Sequence, residues 1–428
     1  MKASAQSPVG PPTSWSLLVY HSEFRTLFIS GAISKVGINI GYVSIPLVAI
    51  LGLDATEAQV GALAAMATAA TLIVGLPAGA WLDRKRCRPV LVAAEFSRAA
   101  LLLSVPLAWW LDWLTLIQLY AVVFGVGTCR MLFDVGQQSI LPLAVSRSAL
   151  TPANSAIVAV DSVTIIGGRG VAGFLVHAVT APIAVALEAV MYFVSGLVAS
   201  QVRITEPPNE PAAARIFADI REGTKHVFGH PVLRALLLAG ALNNVGMHIV
   251  LVMFPFVIVR DLGQPAYWMG ILMSVGGVGA FIGAVVAKPL GDHLGPGRTL
   301  WLVGAITSPF ALAIPFIDVG IMAWLATRCW MLVCANTGVS NVLAVSVRQQ
   351  ATPDRLLGRM NATFRFIIFG VMPIGAVTAG VVGEIYSAHA ALWIGAMAMA
   401  TQWLILFLSP LRRVLTLCDL EKNSGHFK

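Results

Sequence analysis

Twelve long apolar segments dominate this sequence, and they restrict the chain to structures that a lipid bilayer can hold. A helix of about 20 apolar residues crosses the hydrocarbon core, and backbone groups inside that core must pair with one another. Each segment is therefore predicted to be a membrane-spanning α-helix. The predicted spans, numbered 1 to 12, are 25–50, 57–81, 90–110, 114–141, 150–178, 182–203, 231–259, 266–290, 299–317, 321–346, 356–383 and 387–410.

The low charge content excludes a water-soluble fold. Only 11% of the residues are charged and 57% are hydrophobic, whereas about a quarter of a soluble protein is charged. The net charge of +8 is typical of basic loops at a membrane face, so we expect a lipid bilayer rather than nucleic acid as the partner. Residues 1–24 have no short apolar core followed by a cleavage site, so span 1 is expected to stay in the mature protein.

Basic residues fall almost entirely on one side of this map. With a cytoplasmic N-terminus, the inner segments hold 21 of the 28 Lys and Arg residues, the outer loops hold only Arg260, and the spans hold six. The positive-inside rule then predicts a multi-pass protein of the bacterial inner membrane with both termini in the cytoplasm. One helix more or fewer would move the following loops to the other side of the membrane, and the basic residues would then lie on both sides.

A long polar segment divides the chain into two halves of six spans. Gly61 in span 2 has a counterpart, Gly270 in span 8, 209 residues later, and duplicated halves predict two bundles with a site between them. The expected organisation is an N-terminal tail, a first six-helix bundle, a cytoplasmic linker with an amphipathic helix, a second six-helix bundle and a C-terminal tail. These parts are 1–24, 25–203, 204–230, 231–410 and 411–428.

The predicted inner loop between spans 2 and 3 places an acid among several basic residues. It reads Gly79-Ala-Trp-Leu-Asp83-Arg84-Lys85-Arg86-Cys87-Arg88-Pro-Val-Leu91. A glycine lets two helices approach closely, and an acid at a membrane face can latch a neighbouring helix end. The simpler interpretation is a positive-inside anchor, which needs no acid at this position.

This loop resembles the signature of the major facilitator superfamily, G-x-L-a-D-r-x-G-r-k-x-x-l. The sequence departs from it at Trp81, Arg86 and Cys87. Three further stretches are similar to the branch that includes macrolide-efflux and siderophore-export proteins. They are Ile140-Leu-Pro142 with Asn154-Ser155, Gly168-Arg169-Gly170-Val-Ala-Gly173, and Val347-Arg348-Gln349 through Pro353-Asp354 and Gly358-Arg359 to Asn361-Ala362.

The resemblance covers nearly the whole chain and implies two six-helix bundles around a central cavity that opens alternately to each side. It also implies efflux, an antiporter mechanism and a monomer. Arg169 is a departure, because the family usually has Pro there, in a span 5 motif associated with antiporters.

The gating residues implied by the signature and by the start of span 11 are Gly79, Asp83, Arg84, Arg88, Arg359 and Arg365. Asp83 is expected to face the helix start near Leu356–Arg365, where the helix dipole favours an acid.

Charges inside spans are costly and are candidate functional groups by default. Lys35 and Asp161 both lie near the bilayer midplane, judged from their distance along spans 1 and 5. We interpret Asp161 as a proton carrier that Lys35 tunes. The alternative is that Lys35 binds an anionic group of the substrate and Asp161 balances its charge.

The other intramembrane charges form three sequence pairs. Glu95 and Arg98 are three residues apart on span 3, and Arg130 and Asp134 are four apart on span 4, so each pair shares a helix face. We expect these four residues to form one structural network in the inner half. Arg169 and Glu188 lie toward the outer side of successive spans; like Arg130 and Asp134 they are also proton or substrate candidates, with structural ion pairing as the alternative.

The sequence lacks the features of an ATPase or of a metal site. No G-x-x-x-x-G-K-[ST] loop occurs, the five cysteines have no metal spacing, and we expect neither a cofactor nor an enzyme. An ion gradient is then the remaining energy source. The predicted function is proton-coupled export of a small amphipathic molecule such as a drug, a secondary metabolite or a siderophore. An uptake permease of the same fold is the first alternative, and a membrane-embedded enzyme or sensor is the second.

Overall fold

The described part of the chain is α-helical throughout. The computed structural model of the 428-residue chain describes residues 14–82, 85–146, 149–204 and 216–413. Twelve helices in these ranges are long and apolar enough to cross a membrane, which confirms the predicted spans. In chain order their bounds are Ser22–Gly52, Glu57–Leu82, Cys87–Trp110, Leu116–Ala144, Leu150–Val179, Ala181–Ala199, Pro231–Asp261, Tyr267–Leu294, Pro296–Phe316, Ile321–Gln350, Asp354–Ile385 and Ala388–Leu408.

Two shorter helices accompany the spans. Ser14–Tyr20 precedes span 1, and Ile216–Gly229, here called the linker helix, lies between spans 6 and 7. Apolar side chains such as Ile117 and Ile321 remain exposed on the outside of the bundles, where lipid would cover them.

Spans 1 and 7 end in the same way, which extends the repeat between the halves. Pro46 and Pro255 are 209 residues apart, and a wider π-helical turn follows each of them, Val48–Gly52 and Phe256–Asp261. Proline lacks an amide hydrogen and disturbs the regular ladder, so the helix widens at these places. Because of the added turns, spans 1 and 7 run two residues past their predicted ends.

The bundle has two ends, which are named here for reference. The terminal face is the end at which span 1 begins, at Ser22, and span 12 ends, at Leu408; the opposite face is the end at which span 1 ends, at Gly52, and span 12 begins, at Ala388. Each bundle has its own closely packed interior. In the second bundle, spans 8 and 10 approach so closely that a β-carbon added at Gly279 would meet the backbone of Met331.

The two bundles touch at the opposite face through glycines. A β-carbon at Gly61 of span 2 would lie 2.6 Å from Cα of Gly380 of span 11, and one at Gly173 of span 5 would lie 2.8 Å from Cα of Gly270 of span 8. Gly61 and Gly270 are the pair that the sequence identifies as repeat counterparts. The two halves therefore contact each other through equivalent positions, backbone against backbone.

Candidate functional site

A cavity of about 760 Å³ lies between the bundles, within the size range of small-molecule sites. It extends from Pro142 and Leu150, at the terminal-face ends of spans 4 and 5, to Arg169 deeper in span 5. Of the described residues that line it, Arg365 of span 11 alone belongs to the second bundle, and the others come from spans 1, 4 and 5. The cavity therefore opens at the terminal face.

The structure brings Lys35 and Asp161 together in this cavity. Their side chains form an ion pair between spans 1 and 5, with Lys35 18% exposed and Asp161 42% exposed. Both line the cavity, so the carboxylate is reached by solvent while the ammonium is largely covered. The sequence predicted a similar depth for the two residues. The structure adds that their side chains also face each other.

Tyr42 of span 1 lies between two arginines that line the same cavity. Arg130 donates a hydrogen bond from Nη1 to the Tyr42 hydroxyl at 3.0 Å, and its Cζ is 5.8 Å from the ring centroid. The guanidinium of Arg169 lies 4.9 Å from the same centroid. Such cation–π contacts gain strength when they are shielded from water. The Tyr42 ring and hydroxyl therefore lie close to two cations.

Glycines and a π-helical turn position Arg169. The turn Thr164–Gly168 ends immediately before it, and a β-carbon at Gly168 would lie 3.1 Å from Cβ of Asn39. Spans 1 and 5 are thus close enough for Arg169 Nε to donate to Asn39 Oδ1 at 3.1 Å. Asn39 Nδ2 in turn donates to the Lys35 carbonyl at 2.8 Å, which fixes the orientation of the amide.

The four residues expected to form one network instead form two pairs. Arg98 and Glu95 are completely buried and ion-paired, and Ser34 donates to Glu95 Oε1 at 3.1 Å. Arg130 and Asp134 are 3.9 Å apart and are 41% and 39% exposed in the cavity. No hydrogen bond or ion pair joins the two pairs within the described residues. Arg98 still lies within electrostatic range of Arg130 and Asp134, so a network coupled through charge alone stays a prediction.

Aromatic rings account for this separation. The guanidinium of Arg98 lies 4.3 Å from the ring centroid of Tyr192 and 5.0 Å from that of Phe133. Phe133 is on span 4, next to Asp134, but its ring is buried whereas Asp134 faces the cavity. Arg98 of span 3 therefore packs against the face of span 4 that bears Phe133, whereas Asp134 lies on the face of span 4 that lines the cavity.

Arg169 and Glu188 are also separated. Glu188 is 2% exposed and packs against Gly41 of span 1, and its Oε2 atom has no hydrogen-bond partner. Arg169 instead points to the cavity with Asn39 and Tyr42. The structural ion pair considered for these two residues is absent from the described part of the chain, because span 5 turns Arg169 toward spans 1 and 4.

The gating motif is described only in part. Asp83 and Arg84 lie outside the described residues, and Gly79 lies within span 2. Arg88 donates to the Ser200 carbonyl at 2.5 Å. Arg359 forms an ion pair with Glu222 of the linker helix, and Arg365 lines the cavity.

Two polar contacts reinforce the closed opposite face. Arg260 of span 7 donates to the Ala55 carbonyl at 3.1 Å, and Glu384 of span 11 accepts from the Ala58 amide at 3.3 Å. Each joins the second bundle to the first. The sequence interpretation counted Arg260 only as an outer basic residue and did not consider Glu384.

The sequence interpretation also missed Asn39 and Tyr42. Both are on the Lys35 side of span 1, four and seven residues along, which is the spacing of one helix face. A search for polar or aromatic residues at that spacing from an intramembrane charge would have found them.

Comparison with known sequences finds transporters. A family model described as Major Facilitator Superfamily matches residues 27–376. The enterobactin exporter EntS of Citrobacter koseri is 25% identical over 400 residues, which are 92% of this chain and 93% of that protein. The multidrug efflux pump Tap of Mycolicibacterium fortuitum is 26% identical over 355 residues, which are 79% of this chain and 83% of that protein.

Solved structures share the architecture at much lower identity. The nucleoside transporter NupG, in its D323A form, is 11% identical with a TM-score of 0.77, covering 90% of this chain and 99% of that one. A bacterial homologue of the iron transporter ferroportin, in an inward-facing state, is 14% identical with a TM-score of 0.74, covering 90% and 98%. At these identities the likeness shows the fold alone.

Proposed function

Because this chain belongs to the Major Facilitator Superfamily, we propose that it is a secondary transporter that exports small amphipathic molecules, coupled to proton entry. It acts as a monomer in the bacterial inner membrane, with the terminal face in the cytoplasm. The names of two relatives, an enterobactin exporter and a multidrug efflux pump, support export. The asymmetry of the basic residues supports the orientation.

The observation that carries this proposal is a cavity that is open at one face and closed at the other. It reaches the terminal face at Pro142 and Leu150, and the glycine contacts Gly61–Gly380 and Gly173–Gly270 close the opposite face. In the proposed cycle, substrate enters this cavity from the cytoplasm. The bundles then rock, so that the terminal face closes and the opposite face opens.

The Lys35–Asp161 pair is the proposed coupling element. Protonation of Asp161 would break the ion pair, and both residues line the cavity through which protons and substrate would pass. A neighbouring cation favours an ionised carboxylate, whereas loss of water favours the neutral form. Opening and closing of the cavity can therefore alternate the protonation of Asp161. The gate formed by Asp83 and the start of span 11 is part of the same proposal.

Transport by Asp161→Asn tests the coupling. A growth-inhibition screen with and without the gene first identifies an exported compound. Inverted membrane vesicles with an acidic interior should then accumulate this compound with the natural protein. With Asp161→Asn they should lose gradient-driven uptake, because the amide cannot carry a proton, yet still exchange labelled for unlabelled compound. Asp318→Asn removes an exposed carboxylate outside this cavity; it is the control and should retain accumulation.

The same vesicles separate the alternatives. Gradient-driven accumulation that persists in Asp161→Asn would eliminate Asp161 as the carrier, and Glu188 or Asp134 would then be the next carboxylate to test. Loss of both accumulation and exchange would favour the alternative in which Lys35 holds the substrate and Asp161 balances it. Gradient-driven accumulation only in right-side-out vesicles, with an acidic exterior, would identify an uptake permease.

A further inference from the structure

The cavity has more positive than negative side chains. Its lining contains the cations Lys35, Arg130, Arg169 and Arg365. Among the described lining residues the acids are Asp134 and Asp161, so the described lining has two positive charges in excess. Charges within a membrane-embedded site are costly unless something compensates them.

The excess lies on two particular arginines. Lys35 is paired with Asp161, and Arg130 has Asp134 at 3.9 Å. Within the described residues, neither Arg169 nor Arg365 has a carboxylate within 4 Å.

The contacts of these two arginines are neutral. Arg169 has Asn39 and the Tyr42 ring, and Arg365 lies 5.8 Å from the Phe369 ring centroid. The topology of the protein does not require a charge at Arg169, because it lies well inside span 5 rather than near the terminal face.

Arg169 is oriented for binding an oxyanion. Its Nε is taken by Asn39 Oδ1, and the Asn39 amide is fixed by the Lys35 carbonyl. Both Nη groups have no hydrogen-bond partner within the described part of the chain. A guanidinium donates in parallel to the two oxygens of a carboxylate, which gives geometry as well as charge.

Apolar and aromatic surface surrounds these charges. The Tyr42 ring, 43% exposed between Arg130 and Arg169, offers a stacking face, and Ile38, Leu141 and Ile157 line the same space. A planar apolar body would cover this surface while its anionic group reached the arginines. Arg169 and Arg365 belong to different bundles and line the same cavity, so an anion bound there would be attracted by charges of both halves.

From this arrangement we propose that the substrate is an amphipathic organic anion, bound through its oxyanion group by Arg169 and Arg365 and through its apolar body by Tyr42. This inference rests on the proposed transport through the cavity. It does not depend on the direction of transport or on the coupling ion. An excess of two positive charges suits a substrate with one or two negative charges.

Binding of three compounds that share one apolar body tests the charge preference. They are 2-naphthoate, which is ionised at neutral pH, neutral 2-naphthalenemethanol and cationic 2-naphthylmethylammonium. Calorimetric titration into the purified protein in lipid nanodiscs measures their affinities, and empty nanodiscs correct for partition into lipid. We expect naphthoate to bind about tenfold more tightly than the alcohol, and the ammonium compound to bind least.

Charge-removing variants locate the site. Arg169→Gln and Arg365→Gln should each weaken naphthoate binding about tenfold and leave the alcohol unchanged. Arg169→Lys keeps the charge but loses the forked donor geometry, so its affinity for naphthoate should be intermediate. If Arg169→Gln does not fold, Arg169→Lys still tests the role of Arg169 in binding. Lys288→Gln removes a positive charge that lies exposed outside the cavity, and it should bind naphthoate normally.

Several results would overturn the inference. They are equal affinity for the three compounds, preference for the ammonium compound, no naphthoate binding, and full naphthoate affinity in both glutamine variants. Failure of the transport proposal looks different. Selective naphthoate binding without any transport in vesicles would remove the proposed function and keep the anion site. Transport of a neutral or cationic compound by a protein that does not bind naphthoate would support the transport function and overturn the anion site.

Discussion

The two bundles share a backbone plan but differ in the chemistry of their interiors. The first bundle buries a complete ion pair, Glu95 with Arg98. The second bundle has at a comparable depth a neutral cluster, in which Ser308 accepts hydrogen bonds from Gln402 at 3.1 Å and from Asn336 at 3.4 Å. The two halves thus share features of their helical path, whereas their buried polar side chains differ.

This difference assigns different tasks to the bundles. All described residues of the cavity lining except Arg365 come from the first bundle, so coupling and most of the binding surface would depend on the first bundle, and the second bundle would add the charge of Arg365. The second bundle contributes a closely packed body that the first moves against. Neutral hydrogen bonds cost less to bury than charges, which suits a part whose task is mechanical.

The largest expected effect comes from breaking the buried ion pair. Arg98→Met should destabilise the fold by roughly 3–5 kcal/mol, because it leaves the carboxylate of Glu95 buried without a cation. The matched change in the second bundle, Gln402→Met, should cost roughly 1–3 kcal/mol. Thermal unfolding of detergent-solubilised protein, together with the monodisperse fraction on size exclusion, measures both.

A double variant provides the control for this comparison. Glu95→Gln combined with Arg98→Met removes both charges and should recover much of the stability lost in Arg98→Met alone. If Arg98→Met and Gln402→Met lower the unfolding temperature equally, the buried ion pair does not contribute more to stability than the neutral cluster does.

An intermediate effect is expected at the glycine contacts, where the bundles should behave alike. Added β-carbons at Gly61 and Gly270 would lie 2.6 Å and 2.9 Å from backbone atoms of the other bundle. Gly61→Ala and Gly270→Ala should each disfavour the closed opposite face by about 1–3 kcal/mol, a typical cost of overpacking. Because the positions are repeat counterparts, the two shifts should be similar.

Distances between spin labels report this shift. Labels at Trp113 and Ile321, both exposed at the opposite face on different bundles, should move apart in both variants in a background without native cysteines. Gly240→Ala is the control, since its added β-carbon would have only an ordinary contact at 3.5 Å with a side-chain end of Ile368. A shift in one glycine variant alone would show that the halves do not close symmetrically.

The smallest effect is expected where the linker helix joins the second bundle. Glu222 is paired with Arg359 and lies 3.7 Å from Arg355 at the start of span 11, and all three side chains are at least 36% exposed. Glu222→Gln should therefore cost only about 0.2–1 kcal/mol, and less at high salt. Protease cleavage of the linker helix at low and high salt measures the effect.

Lys225→Gln, which removes an exposed charge of the same helix, is the control for this change and should leave the cleavage rate nearly unaltered. Equal cleavage of the Glu222 variant and the natural protein at low salt would mean that the ion pairs do not attach the helix. The linker helix would then be held only by packing, such as that of Gly223 against Arg359 and Thr363.

The twelve spans and the 209-residue offset between the halves follow from the amino-acid sequence alone. A bilayer has one thickness and offers no backbone partners, so apolar length translates directly into spanning helices. The offset of 209 residues between Gly61 and Gly270 was likewise readable, because duplicated chains keep close-packing glycines in register. The depth of Lys35 and Asp161 followed from the constant rise of a helix.

Which intramembrane charges meet depends on how the helices pack against one another. Depth along a helix says nothing about rotation around it, and rotation is fixed by packing and by local changes of helix type such as the turn Thr164–Gly168. That turn precedes Arg169, which lies beside Asn39 and Tyr42 rather than Glu188. The buried rings of Phe133 and Tyr192 hold Arg98 away from the cavity. These outcomes depend on contacts between residues on different helices, far apart in the sequence, which no local pattern encodes.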